Sequence, residues 1–207
     1  FSTTYESKEL SPGWLDGYPD YSVSTYSHSY SGSMNLEQAT LQSDNTVYAQ
    51  LDADVGPENV KQTAYDMGIK TKLDGFPAEG LGGLTIGVTP LEMANAYSTI
   101  ANGGVRVTPT AITKVTFPDG RVDDWGEVKS TRVFSDGIAA TATQILEANV
   151  QGGTGTGANY GCPAAGKTGT TSDYKDAWFV GFTPNLTTAV WVGYANPPQS
   201  MYSVHGT

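Results

Sequence analysis

Three short β-rich runs near the C-terminal end of the sequence constrain the fold more than any other feature. They cover residues 164–171, 177–183 and 187–194, and only a few turn-forming residues separate one run from the next. Because connections this short join antiparallel neighbours, we expect one antiparallel sheet. Residues 178–180 (WFV) and 190–192 (VWV) are apolar at consecutive positions. This pattern predicts that helices cover both faces of the sheet.

Helix start and stop signals are distributed over the rest of the chain. Asn35 with Gln38, and Thr89 with Glu92, have the spacing of a capping box, in which a helix cap and the third helical residue bond each other's backbone. Proline suits the first helical turn, and glycine suits the residue after the last turn. These signals predict helices over residues 35–42, 46–51, 56–68, 89–102 and 135–152.

The order of these elements indicates a mixed α/β (α+β) fold. Residues 1–34 are rich in Ser, Tyr, Gly and Pro, which predicts an extended lead-in to a chain that starts within a domain. Residues 35–104 form a helical part, and residues 105–207 form a part built on the sheet. Within the second part, residues 111–125 read as a hairpin that turns at Pro118-Asp119-Gly120.

Charge and hydropathy exclude several classes of partner. The formal charge is −10 and the pI is about 4.4, so the surface potential repels phosphate backbones, and we expect no nucleic acid partner. The sequence has no apolar run of the roughly 18 to 20 residues that a spanning helix needs, and it has no signal peptide pattern. We therefore expect any membrane anchor to lie outside this sequence.

Residues that bind metals or nucleotides are scarce. Cys162 is the single cysteine, and His28 and His205 are the only histidines, so neither a disulfide nor a zinc site has the residues it needs. We expect Cys162 to be a small buried hydrophobic residue and both histidines to lie at the surface or in turns. Residues 153–157 (GTGTG) follow a helix and precede a strand, the reverse of a dinucleotide loop. We interpret them as a flexible wall or hinge, and we expect no cofactor.

Two short motifs carry the chemistry. Residues 43–45 (Ser-Asp-Asn) lie between two predicted helices, and residues 167–170 (Lys-Thr-Gly-Thr) lie on the first predicted strand of the sheet. Each is weak evidence alone, since Ser-Asp-Asn also suits a helix-capping turn. In this order and in these settings, they match two of the three signatures of penicillin-binding proteins and class A β-lactamases.

Longer stretches resemble the transpeptidase domain of class A, bifunctional penicillin-binding proteins. They are SDNTVYAQL from Ser43, VTPLEMANAYSTIANGG around Thr89 to Gly104, and AGKTGTTSDYKDAWFVGFTP from Ala165 to Pro184. The resemblance covers residues 30 to 195. It implies a β-lactamase/transpeptidase-like fold, in which helices flank an antiparallel sheet and a helical subdomain adjoins it.

The resemblance also implies a role for each motif residue. Lys167 directs positive charge towards the substrate carboxylate and the Ser43 hydroxyl. Ser43 passes a proton towards the leaving amine, and the Asn45 side-chain amide holds the peptide bond of the substrate. Thr168 and Thr170 offer hydroxyls to the carboxylate.

The strand itself is expected to bind substrate along its edge. The backbone of Thr170 pairs with the substrate, as in β-augmentation, and its N–H is the second donor to the oxyanion. Thr171 extends the binding strand. Gly169 is expected because a side chain there would enter the cleft. We interpret Asp173 and Asp176 as turn-forming or charge-pairing residues, and Tyr174 and Trp178 as packing or cleft-wall residues.

The first family signature, Ser-x-x-Lys, is missing before Ser43. Residues 172–175 match it in letters, but they follow the Lys-Thr-Gly strand in a turn and are rejected on position. We therefore expect the acylated serine on a preceding segment that was cleaved away, or on another chain.

The resemblance implies a D,D-transpeptidase that cross-links peptidoglycan stem peptides at the extracytoplasmic face of a bacterial membrane. β-Lactam antibiotics are expected to acylate the same serine. One alternative is a class A β-lactamase, but no Glu-x-x-x-Asn pattern lies in a loop between Asn45 and Lys167 to activate a deacylating water. The other alternative is an inert sensor or scaffold with the same fold.

Overall fold

The computed structural model describes residues 2–124, 126, 128–195 and 197–202. Trp125, at the end of the predicted hairpin, and His205 lie outside this range. The helices are α1 (Leu36–Gln42), α2 (Asn45–Val55), α3 (Pro57–Met67), α4 (Pro90–Ala101) and α5 (Asp136–Gly152). The strands are β1 (Thr4–Ser7), β2 (Gly32–Asn35), β3 (Val105–Val107), β4 (Lys114–Thr116), β5 (Val122–Asp124), β6 (Ser130–Arg132), β7 (Ala165–Thr170), β8 (Asp176–Thr183) and β9 (Leu186–Gly193).

The helix signals in the sequence correspond to real caps. Both predicted capping boxes form, one from Asn35 and Gln38 at α1 and the other from Thr89 and Glu92 at α4. Ser135 caps α5 by accepting a hydrogen bond from the backbone of Ile138. The five predicted helices are confirmed, but α2 begins one residue earlier and ends four residues later than expected.

The predicted antiparallel sheet is confirmed, with β8 in the centre between β7 and β9. Helix α5 packs against β7, and α4 packs against β8 and β9. The face that they cover includes Ala165, Val180 and Phe182, which are 2%, 3% and 7% exposed. The strand order leaves β7 at one edge of this sheet, with α5 packed against it.

The expectation that both sheet faces are covered is wrong for β9. Its side chains alternate between half-buried and exposed, and Leu186, Val190 and Val192 are 65%, 48% and 53% exposed among the described residues. Consecutive apolar residues show that both faces of a strand are hydrophobic. They do not show whether this chain supplies the helices that cover both faces.

The lead-in is more structured than its composition suggests. Strand β1 pairs antiparallel with β2, and Leu10 forms an isolated bridge with Val23. The side chains of Leu10 and Val23 are buried against Ala49 of α2. The lead-in therefore folds back on the helical part instead of extending away from it.

Two smaller predictions have opposite outcomes. The hairpin is confirmed over the described residues, because β4 pairs with β5 around the turn at Pro118–Gly120. Cys162, predicted to be buried, is exposed, so that prediction is wrong. It lies in residues 159–164, just before β7, which form neither strand nor helix. His28 lies exposed in a turn, as predicted.

Candidate active site

The Ser-Asp-Asn corner joins two helices. Ser43 ends α1 with φ 54° and ψ 47°, a left-handed conformation that a residue with a side chain rarely adopts. Asp44 caps α2, and Asn45 is the first residue of that helix. The motif is therefore a helix cap and a candidate functional corner at the same time. The cap sets the directions of Ser43 and Asn45.

Asp44 is the buried anchor of the corner. Its side chain is 4% exposed, and one carboxylate oxygen accepts hydrogen bonds from the backbone N–H groups of Thr46 and Val47 at 2.9 and 3.1 Å. The Thr46 hydroxyl donates to the same oxygen at 2.7 Å. The other oxygen accepts a hydrogen bond from the Ser7 hydroxyl of β1 at 2.5 Å. Asp44 thus ties the lead-in to the corner.

The two predicted motifs meet in space. Lys167 Nζ on β7 donates a hydrogen bond to Ser43 Oγ at 2.9 Å, and a second to the backbone carbonyl of Thr168 at 3.0 Å. Burial lowers the pKa of Lys167 to about 8, because removal from water disfavours the charged form. The ammonium is therefore close to its titration point at neutral to mildly alkaline pH, beside a serine hydroxyl.

Sequence reasoning missed two residues that support this contact. Asn149 of α5 is fully buried, and its amide donates to the carbonyl of Gly166 at 2.8 Å, which joins α5 to β7. Thr154 donates to the Asn149 side-chain oxygen at 3.3 Å. Its hydroxyl oxygen also lies 2.8 Å from the Thr168 hydroxyl oxygen and 3.5 Å from Lys167 Nζ.

Two glycines of the segment GTGTG, which the sequence predicted to be a flexible wall or hinge, are closely packed. A Cβ on Gly153 would lie 2.3 Å from the Asn149 side-chain oxygen, and one on Gly155 would lie 2.9 Å from the Asn149 side-chain nitrogen. The glycines therefore allow the segment to pass close to Asn149. The signal in the sequence was a threonine between two glycines, placed just after a helix end.

The remaining site residues differ in their availability. Thr170 is exposed on the β7 edge. The Asn45 amide donates to the carbonyl of Ser24 at 3.3 Å, a long hydrogen bond. The Thr171 hydroxyl donates to the Asp176 carboxylate at 2.9 Å and accepts from the Asp176 backbone N–H at 2.9 Å. Its hydroxyl is used within the protein, which favours a structural role for Thr171.

The residues that were interpreted as structural have structural contacts. Asp176 accepts a hydrogen bond from the indole N–H of Trp191 at 2.8 Å, and Asp173 pairs with Lys175 at 3.4 Å. Trp178 packs against Trp191 with ring centroids 6.4 Å apart. These contacts agree with a structural interpretation of Asp173, Asp176 and Trp178.

Replacing Gly169 with alanine is expected to leave folding stability nearly unchanged but to lower the acylation rate of the whole protein at least about tenfold. A Cβ on Gly169 would meet only Trp178 Cβ, at an ordinary 3.5 Å, so packing within the protein does not require glycine. Stability is measured by urea denaturation, and acylation with a labelled penicillin.

Gly166→Ala is the matched control, three residues away on the same strand. Its Cβ would lie 2.6 Å from Phe179 Cζ and 3.0 Å from the Val180 carbonyl oxygen, so it should lower the unfolding free energy by about 1–3 kcal/mol. If Gly169→Ala were acylated at the wild-type rate, the cleft explanation for this glycine would be wrong.

Neither a metal site nor a spanning helix occurs in the described part of the chain. No group of three His, Cys, Asp or Glu side chains is arranged there to hold a metal ion. No described helix combines the length and the apolar character that membrane crossing requires.

Comparison with known proteins identifies the family. The model of the penicillin-binding protein transpeptidase domain matches residues 2–205. This chain belongs to that family. Penicillin-binding protein 1F of Bacillus subtilis is 35% identical over 93% of the chain, and penicillin-binding protein 4 of the same species is 35% identical over 88%. The chain spans 28% and 30% of the lengths of these two relatives.

Solved structures give the same fold. The penicillin-binding protein PonA1 of Mycobacterium tuberculosis superposes with a TM-score of 0.78 at 27% identity, covering 96% of this chain and 56% of that chain. Penicillin-binding protein 1A of Haemophilus influenzae gives a TM-score of 0.84 at 24% identity, over 96% of this chain and 35% of that chain. The predicted β-lactamase/transpeptidase-like fold is therefore confirmed.

Proposed function

We propose that this chain is the part of a D,D-transpeptidase that binds peptidoglycan stem peptides and assists the acylation of a serine. That serine lies on a segment or chain outside this sequence. The observation that carries the proposal is the 2.9 Å contact between Lys167 Nζ and Ser43 Oγ, which joins the two family motifs at the edge of the sheet. Membership of the transpeptidase family supports it.

The proposed reaction forms and then consumes an acyl-enzyme. The serine oxygen attacks the carbonyl carbon of the penultimate D-alanine, the bond to the nitrogen of the last D-alanine breaks, and the serine proton moves through the Ser43 hydroxyl to the leaving amine. An amine of a neighbouring stem peptide then attacks the ester carbonyl. The new amide bond forms as the ester bond to the serine oxygen breaks, and the proton lost by the attacking amine returns to that oxygen.

Each residue of this chain has a role that matches its position. Lys167 holds the substrate carboxylate and polarises the Ser43 hydroxyl, and the Asn45 amide holds the substrate peptide bond. The hydroxyls of Thr168 and Thr170 bind the carboxylate, with Thr154 orienting Thr168 through the 2.8 Å contact between their oxygens. The β7 backbone at Gly169 and Thr170 pairs with the substrate as an added strand.

The same proposal assigns the parts of the chain and its cellular location. Residues 35–104 supply the Ser-Asp-Asn corner, residues 105–207 supply the binding strand, and residues 1–34 brace the corner through Ser7. The substrate places the site on the extracytoplasmic face of the membrane, with the anchor on a segment outside this chain. β-Lactams are the expected inhibitors; PonA1 has been solved in complex with penicillin V.

Intact-mass analysis of the whole protein after treatment with benzylpenicillin tests the proposal. We expect one covalent adduct on a serine outside this sequence, and we expect it to persist for hours. An adduct that clears within seconds would support the class A β-lactamase alternative. If no adduct forms, the inert sensor or scaffold would replace the transpeptidase.

A further inference from the structure

A short segment of the lead-in crosses from one motif towards the other. We call residues 24–29 the strap. At its start, the carbonyl of Ser24 accepts the hydrogen bond from the Asn45 amide. Thr25 is 8% exposed, and its hydroxyl donates to the carbonyl of Ser29 at 2.9 Å, which closes the strap into a compact turn. The strap is therefore attached beside the Ser-Asp-Asn corner.

Two tyrosines form the second contact of the strap. Tyr26 projects from the strap with 76% of its surface exposed, and its hydroxyl hydrogen-bonds the hydroxyl of Tyr174, with 2.5 Å between the oxygens. The two ring centroids are 6.3 Å apart with an interplanar angle of 76°, an edge-to-face arrangement. Tyr174 belongs to the turn between β7 and β8, so the strap contacts both the Ser-Asp-Asn corner and the turn that follows the Lys-Thr-Gly strand.

Tyr174 is held in a backbone conformation that residues with side chains rarely adopt. Asp173 and Tyr174 have φ values of 60° and 53°, which is strained for residues with side chains. The Tyr174 carbonyl accepts a hydrogen bond from Met201 N–H at 3.0 Å, and its ring packs on Tyr202 with centroids 5.2 Å apart. Contacts on three sides thus hold a strained aromatic residue at the end of the binding strand.

The two tyrosines lie where the substituent on the amide of a bound ligand would reach them. Strand β7 rises about 10 Å from Lys167 to Thr170, and Tyr174 follows in the next turn. A ligand whose carboxylate is at Lys167 and whose amide lies between Asn45 and Thr170 would direct the substituent on that amide towards Tyr26 and Tyr174. Neither tyrosine has a role in the reaction proposed for this site.

We propose that the hydrogen bond between Tyr26 and Tyr174 is a latch across the end of the groove, which selects acyl groups by size. Small amine substituents fit inside the closed latch, and large ones require the two hydroxyls to separate. This inference rests on the proposed function. The chemical class concerned is the acylamino substituent, which stem peptides and β-lactams share.

The test compares two β-lactams in the whole protein, with the acylated serine present. One is 6-aminopenicillanic acid, which has no acyl substituent on its amine, and the other is piperacillin, which has a large one. Tyr26→Phe and Tyr174→Phe each keep the ring but remove the hydroxyl-to-hydroxyl bond. Tyr160→Phe, at an exposed position between α5 and β7, is the matched control.

We expect each latch variant to be acylated by piperacillin about three- to tenfold faster than wild type, the range that the loss of one neutral hydrogen bond allows. Acylation by 6-aminopenicillanic acid should stay within about twofold, and the control should change neither rate. The same comparison is made with synthetic stem peptides that carry short or long acyl chains, which shows whether the latch acts on peptide donors as well as on antibiotics. We expect the latch variants to transpeptidate the long-chain peptides faster than wild type and the short-chain peptides at the wild-type rate.

Each other outcome overturns a definite claim. If wild-type protein is acylated but the latch variants keep the wild-type ratio of the two rates, the latch is wrong and the proposed function stands. If piperacillin reacts more slowly with the variants, the hydroxyls bind the substituent and do not exclude it, which also ends the latch. If neither compound acylates the wild type, the proposed function fails and the latch fails with it.

Discussion

Lys167→Ala is expected to lower the rate of β-lactam acylation in the whole protein by about 100- to 10,000-fold, the range typical of a lost proton-transfer partner. The change removes the ammonium that donates to Ser43 Oγ at 2.9 Å and that would hold the substrate carboxylate. Because the lysine leaves with its charge, no unpaired buried charge remains, and the fold should persist. Stopped-flow acylation with a chromogenic cephalosporin measures the effect.

Lys114→Ala is the control, since Lys114 lies exposed on β4. It should be acylated at the wild-type rate. Equal rates for wild type and Lys167→Ala would remove the lysine from the mechanism, and with it the main support for the proposed site.

The pH dependence gives a second readout for the same lysine. Burial lowers the pKa of Lys167 to about 8, so the ammonium that we propose to bind the substrate carboxylate is lost as the pH rises through that value. Acylation of the wild type should therefore fall above about pH 8, and Lys167→Ala should lack this limb. Between about pH 8 and 10.5 the unfolded chain binds more protons at this lysine than the folded chain, so stability should rise over that interval.

Asp44→Ala is expected to lower the free energy of unfolding by about 2–4 kcal/mol. The substitution removes the cap of α2 and leaves buried donors without an acceptor, namely the N–H groups of Thr46 and Val47 and the hydroxyl of Ser7. Since the cap also fixes Ser43 and Asn45, acylation should fall together with stability. Urea denaturation of wild type and variant measures the first effect.

Two further variants make this prediction specific. Asp44→Asn keeps an oxygen that can cap the helix, so it should lose less stability than Asp44→Ala. Asp20→Ala replaces an exposed aspartate of the lead-in and should change stability by less than about 0.5 kcal/mol. A variant Asp44→Ala as stable as Asp20→Ala would show that the corner does not depend on its buried carboxylate.

The features that could be predicted from the sequence are those fixed by neighbouring residues. The capping boxes at Asn35 and Thr89 act over three residues, so their letters were sufficient to place α1 and α4. The order β7-β8-β9 followed from the short turns between the runs. The meeting of Ser43 with Lys167 came from the family resemblance, because a contact between residues 124 positions apart has no local signal.

What could not be predicted depends on packing between distant elements. Thr154 looked like part of a flexible glycine segment, and only the approach of that segment to Asn149 and Thr168 reveals its hydrogen bonds. Both faces of β9 were predicted to be covered because its side chains are apolar. Apolar side chains do not show whether another element of the same chain packs on them. Cys162 was placed in the core on the usual behaviour of free cysteines, but its segment passes over the surface.

The open edge of β7 also bears on how copies of the molecule behave towards one another. A strand that can accept a peptide could equally accept the same strand of a second molecule, which is the first step of sheet-to-sheet aggregation. In a two-fold antiparallel pairing centred on Thr168, Lys167 would lie opposite Gly169 of the other copy, so the two Lys167 ammonium groups would be diagonal neighbours on one face and repel each other. One positive charge near the middle of the strand therefore favours an anionic ligand and opposes self-pairing.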